Sequence, residues 1–142
     1  MKRLVDLFID PIRMIQDIRR ELSRGMGIWG PALNFPQLLG GIYYFGTIEG
    51  RLIFFSWLLM IITAGYIHRH QPFSRLIGVS QVWWFPILPL LLGYAWQQTE
   101  LSIFSVWLWY VCSTMGISLV LDVFDFHRYI TTDDRRYARR NK

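Results

Sequence analysis

The chain has a single cysteine, Cys112, and it lies inside an apolar run. An intramolecular disulfide and a multi-cysteine metal site are thereby excluded, and the residue reads as a small buried packing group. Acidic residues are scarce too, ten against fifteen Lys and Arg, which leaves a formal net charge of +5. No cleavable signal peptide is expected, because the first twenty residues carry charges throughout and offer no unbroken apolar stretch. Charge is missing altogether from four stretches, residues 25–48, 52–67, 76–96 and 101–121. In a chain of 142 residues that is 53% hydrophobic, such gaps exceed what a soluble domain needs to fill its core.

A bilayer core of about 30 Å takes roughly 20 helical residues, and only helices satisfy their own backbone there without closing into a barrel. Residues 76–96 and 101–121 are long enough as they stand, and 52–67 can borrow its flank from Gly50. The first stretch, 25–48, carries Pro31, Pro36, Asn34, Gln37 and several glycines, so hydropathy alone leaves it open. Charge distribution decides. If it crosses, Lys2, Arg3, Arg13, Arg19, Arg20 and Arg24 share one membrane face with Arg69, Arg75 and the basic tail, and only Arg51 lies opposite. Short loops with that bias follow the positive-inside rule. The expected fold class is therefore all-α: an integral membrane four-helix bundle spanning 25–121, with spans at about 28–48, 50–67, 76–96 and 101–121. Far-side turns are expected at 49–51 and 97–100, and both termini in the cytoplasm, most naturally of a bacterial inner membrane. Aromatics at 17% suit side chains that settle at the bilayer boundary.

Residues 1–24 read as an amphipathic helix in the membrane interface. Asp10 supplies an N-cap and Pro11 a first helical position; Ile12, Ile15, Ile18 and Leu22 recur at helical spacing, and Gly25 is placed to end the helix. With Arg19, Arg20, Arg69, Arg75, Arg135 and Arg136 these residues form the expected surface for partners or for anionic lipid headgroups. The basic residues are dispersed and no recognition motif accompanies them, which argues against nucleic acid. Residues 122–142 read as a helical extension followed by a short charged tail, free or held only by a partner.

Chemistry is sparse. No ionisable residue falls inside the four stretches, which argues against proton-coupled transport. His68, His70, Asp122, Asp125 and His127 belong to one membrane face and form a candidate polar cluster, yet they lack a metal-ligand or haem-ligand pattern. No cofactor, metal or catalytic residue is expected. Pro86 and Pro89 should kink or open the third span, and Asn34, Gln37 and Gln81 can hydrogen-bond between helices. Cys112, Ser113 and Gly116 offer a small-residue face for close helix contact.

Two stretches carry a resemblance: IDPIRMIQDIRREL ahead of the first span, and HRHQPFSRLIGVSQ leading into WWFPILPLLLG. Together they resemble the Yip-domain family of small polytopic membrane proteins, although members usually have five spans and only four fit here. The resemblance implies a non-enzymatic membrane adaptor, of the kind whose eukaryotic members engage small GTPases in vesicle traffic, and it supplies no catalytic residue. The leading functional expectation is accordingly a scaffold or accessory subunit that binds other membrane proteins or copies of itself. A homo-oligomeric channel or small-molecule carrier around the kinked span is the first alternative. A quinone- or haem-binding anchor near His68, His70 and His127 is the second.

Overall fold

The structure, a computed structural model, describes residues 2–21, 24–133 and 135–137, the side chains of 2–8, 19, 21, 24 and 26 excepted. It is all-helical. Helices α1 (Lys2–Glu21), α2 (Arg24–Tyr43) and α3 (Ile48–His70) are followed by a 3₁₀ segment (Arg75–Trp83), α4 (Trp84–Gln97) and α5 (Ile103–Thr131). Among the described residues the one β-type pairing is an isolated bridge between Ser74 and Arg136. Three segments are long and apolar enough to cross a membrane: α3, the continuous stretch Arg75–Gln97, and α5. Helix α2 is as long as a span, but Pro31, Pro36, Asn34 and Gln37 dilute its apolar character and it falls outside that set.

Capping fixes two boundaries. The Thr47 hydroxyl accepts the Gly50 N–H at 3.0 Å, so α3 starts at Ile48 and places Glu49 at the positive end of the helix dipole. The expected turn at 49–51 therefore lies earlier, at 44–47, and α2 stops at Tyr43 rather than 48. Ser102 and Ser105 form a reciprocal capping box at the start of α5. From there α5 runs 29 residues to Thr131. At 1.5 Å per residue that is about 43 Å, longer than a bilayer core, so its last third extends beyond the apolar stretch 101–121 as expected.

The start signal at Asp10-Pro11 is overturned. Helix α1 runs unbroken from Lys2 and holds Pro11 in its interior, so Asp10 caps nothing. Its carboxylate instead accepts from Arg69 of α3 at 3.2 Å, and the proline ring sits against Gly65. Gly65 admits so close an approach because it has no side chain to collide with the ring. Gly25, expected to end this helix, belongs instead to α2.

Helix α2 runs antiparallel to α3 and α5 and is tied to both by hydrogen bonds. Trp57 Nε1 donates to Asn34 Oδ1 at 2.9 Å, the interhelical role expected of Asn34. Pro36 cannot donate to the Ala32 carbonyl one turn back, and the Tyr110 hydroxyl takes that carbonyl at 2.9 Å. Trp107 Nε1 donates to the Pro36 carbonyl at 2.8 Å. The core shared by α2, α3, α4 and α5 includes Leu33, Ile53, Met60, Trp84, Leu91, Leu108, Val111 and Met115, with Cys112 packed among them. The small-residue face divides: Cys112 joins this core, Gly116 lies beside Leu88 and Ser113 is exposed. Gln37 departs from expectation. It is fully buried and neither amide atom has a partner. At the Thr47 end, Tyr44, Phe104 and Trp107 pack ring to ring, and Phe45, Phe54 and Phe55 form a second such group.

Candidate functional site

The site begins where the winding changes ahead of Pro86. An α-helix continued through that proline would press its ring on the carbonyl of Val82. The nine residues before the α4 start are wound as 3₁₀ helix instead, and α-winding begins at Trp84. Pro86 then falls in the first turn, where its missing N–H costs nothing, while Pro89 sits inside α4. The expected kink is thus a change of helix type just ahead of both prolines. A 3₁₀ run this long is uncommon, and its three-residue period stacks every third side chain on one face.

That period brings Arg75, Gly78 and Gln81 into a column opposite Asp125, Asp122 and Ser118 of α5. Arg75 Nη1 donates to Asp125 Oδ1 at 2.6 Å, with the Arg75 side chain only 11% exposed. Gly78 lies against the Asp122 carboxylate: a Cβ there would meet Oδ1 at 2.5 Å. Gln81 and Ser118 border the same cavity, whose volume is about 620 Å³. Tyr137, returning from the tail, donates its hydroxyl to Asp125 Oδ2 at 2.6 Å and lays its ring under the Arg75 guanidinium. Burial, joined by that hydrogen bond and the Asp125 charge, pushes the Tyr137 phenol well above its ordinary range, so it stays a donor.

The tail is therefore held, contrary to the expectation that it is free or held only by a partner. Tyr137 N–H donates to the Phe73 carbonyl at 2.9 Å, and Arg75 N–H donates to the Arg135 carbonyl at 3.1 Å. Phe73 adopts a left-handed backbone, φ 57°, unusual for a bulky residue. Its ring is buried and meets the His68 imidazole edge-on at 5.1 Å, which fastens the turn between α3 and the 3₁₀ segment.

The candidate polar cluster separates into different sites. His68 is buried and bonds through Nε2 to Asp17 of α1 at 3.1 Å. His70, two residues on and so on another face of α3, is exposed and lies against Tyr66. His127 is exposed, and Asp122 and Asp125 belong to the column. Among the described residues no three His, Cys, Asp or Glu could hold a metal ion. Of the expected partner surface, Ile12, Ile15 and Arg20 are exposed, whereas Ile18 is half-buried and borders the cavity. Leu22 and the Arg19 side chain lie outside the described residues. Arg69 is half-exposed and paired with Asp10, and the exposed Arg135 and Arg136 belong to the tail strap. Arg75 is corrected from surface to interior, because the 3₁₀ winding turns it toward Asp125.

Sequence reasoning missed Gly78, Tyr137 and Asp17 and gave Asp10 a different role, that of an N-cap. The lone aromatic in a charged tail was the available signal for Tyr137. No family model, no curated protein and no solved structure matches this chain.

Proposed function

We propose that the chain is a four-span integral membrane protein, with both termini on the cytoplasmic side, that serves as a non-enzymatic accessory subunit. Its partners dock on a composite cytoplasmic surface. One observation carries the reading: three segments far apart in sequence are fastened together at one end of the bundle. Helix α1 is pinned to the last turns of α3 through Asp10–Arg69, Asp17–His68 and Pro11–Gly65, and residues 135–137 are strapped across 73–75. The surface so made presents Ile12, Ile15, Arg13, Arg20, Arg135 and Arg136 outward, apolar side chains among cations. Such a surface suits an acidic partner at the membrane or the anionic headgroups themselves.

Native mass decides between this reading and its rival. Extracted gently from its own membranes, the protein is expected to run as a complex containing other chains. A clean multiple of this chain alone would favour a homo-oligomeric carrier, the reading that the break between 3₁₀ and α-winding inside the third span supports. Topology has its own test in a Cys112→Ser background. A cysteine at Gln16 is expected to react with impermeant reagents only from the cytoplasmic side, and one at Gly46 only from the other. Labelling of both from one side means that α2 does not cross, and sinks the four-span arrangement.

A further inference from the structure

Asp122 and Asp125 stand one turn apart on α5, near enough for their charges to act on each other. They are not served alike. The Arg75 guanidinium donates to Oδ1 of Asp125 and the Tyr137 hydroxyl to Oδ2, so Asp125 is satisfied as an anion. Asp122 has no such support: its Oδ2 is buried without a partner, and Gly78 closes on the carboxylate from the 3₁₀ segment. Two neighbouring carboxylates with the cation committed to one of them resist carrying charge together. Burial, and then the Asp125 charge, push the Asp122 carboxyl up to about 7. The titratable groups among the described lining residues of the cavity are Asp122, Asp125, Arg128 and Tyr137, and the walls from α1, α2 and α3 contribute none. Arg128 is exposed and lies six residues from Asp122 along α5, about 9 Å. The tail strap shares this environment. Tyr137 borders the same cavity as Asp122, and the charges of both carboxylates bear on its hydroxyl.

We propose that the strap of residues 135–137 is a proton-controlled latch, closed while Asp122 holds a proton and released when that proton leaves. Release lifts the Tyr137 ring from the cavity border and admits water to the Asp122 carboxylate, whose charged form hydration stabilises. Ionised Asp122 also competes with Asp125 for Arg75, the cation against which the Tyr137 ring is laid. Proton binding and closure are therefore linked, and each favours the other by the same factor. With its carboxyl raised, Asp122 adds stability to the closed form in full below the ordinary carboxylate range, and that stability is lost as pH rises through about 7. Through the exposed Arg135 and Arg136 the strap also carries part of the docking surface proposed above. The latch is internal to this chain and stands whether or not a partner protein docks there.

The test is tryptic cleavage after Arg135 and Arg136 of the full chain in maltoside micelles, read by mass at pH 6 and at pH 8 for the parent and for Asp122→Asn. Dividing the parent rate by the variant rate at each pH removes the pH dependence of the protease itself. Cleavage follows the population of the open strap, so this ratio is expected to rise about tenfold from pH 6 to pH 8. Infrared spectra of the parent give a second readout that needs no cleavage. The carbonyl band of a protonated carboxyl is expected at pH 6, weakened at pH 8 and missing in Asp122→Asn. A cleavage ratio that stays constant with pH, or a parent without that band at pH 6, would overturn the proposal and leave the strap a fixed contact.

Discussion

Arg75→Ala is expected to lower stability by about 1.5–3 kcal/mol, the usual range for losing a hydrogen bond between charged groups, here in a partly buried pair. The loss comes less from the pair's attraction than from what stays behind. The Asp125 carboxylate, its side chain 21% exposed, keeps the Tyr137 hydroxyl but loses the guanidinium at 2.6 Å. The tail strap loses the cation under which the Tyr137 ring is laid. Unfolding of the purified protein should be compared with Asp125→Asn and with the double variant, so that the coupling of the pair is separated from the truncation. Tyr137→Phe is a smaller change and should cost about 1 kcal/mol, one hydrogen bond. Faster proteolysis at Arg135 and Arg136 should accompany Arg75→Ala. A loss under about 1 kcal/mol would mean that the pair behaves as a solvated surface contact, and the column would lose its anchor.

The second large effect is expected at Gly65. A Cβ there would stand 2.6 Å from the backbone nitrogen of Pro11 and 2.7 Å from its Cδ, atoms that cannot swing aside. Gly65→Val therefore has to lift α1 from α3. Overpacking of this kind costs roughly 1–3 kcal/mol, and here the displacement also strains Asp10–Arg69 and Asp17–His68. Hydrogen exchange reads the event locally. The amides of α1 should lose protection while those of α5 keep theirs. Unchanged protection in α1 would show that the helix is held by something other than this approach.

Legibility in the sequence followed the scale of the signal. Uncharged runs of 16 to 21 residues dictated the three apolar segments, and Asn34 in the fourth run announced a cross-helix hydrogen bond as a polar side chain among apolar neighbours. The serine and threonine caps at Ser102 and Thr47 use ordinary local chemistry, yet the boundary near Thr47 was misplaced because Glu49 and Arg51 looked like a loop. Proline was the harder reading. Pro11 after Asp10 carries every mark of a helix start, and only Gly65, fifty-four positions away, makes an interior place for it affordable. Likewise the column depends on a three-residue period, whereas the amphipathic faces of an α-helix repeat every 3.6 residues. Under the latter, Arg75, Gly78 and Gln81 drift apart, Arg75 reads as one more headgroup contact, and the pairing of residues 75 and 125 stays invisible. The same reasoning grouped three histidines by membrane depth, which sets a common height but not a common side of the bundle.

The tight winding of residues 75–83 also changes how far the chain reaches. At about 2.0 Å per residue these nine positions cover roughly 18 Å, where an α-helix would cover about 13.5 Å, so Arg75–Gln97 extends as far as a regular helix three residues longer. Each residue turns about 120° rather than 100°, and over nine steps the two windings differ by roughly half a revolution. Rewinding the segment as α-helix with Arg75 held in place would swing Trp84 from the core toward the outside and carry Gln81 off the column, while shortening the segment. Azimuth and height are thus geared to each other in this one segment: a change in its winding would retune the cavity wall without altering any residue that lines it.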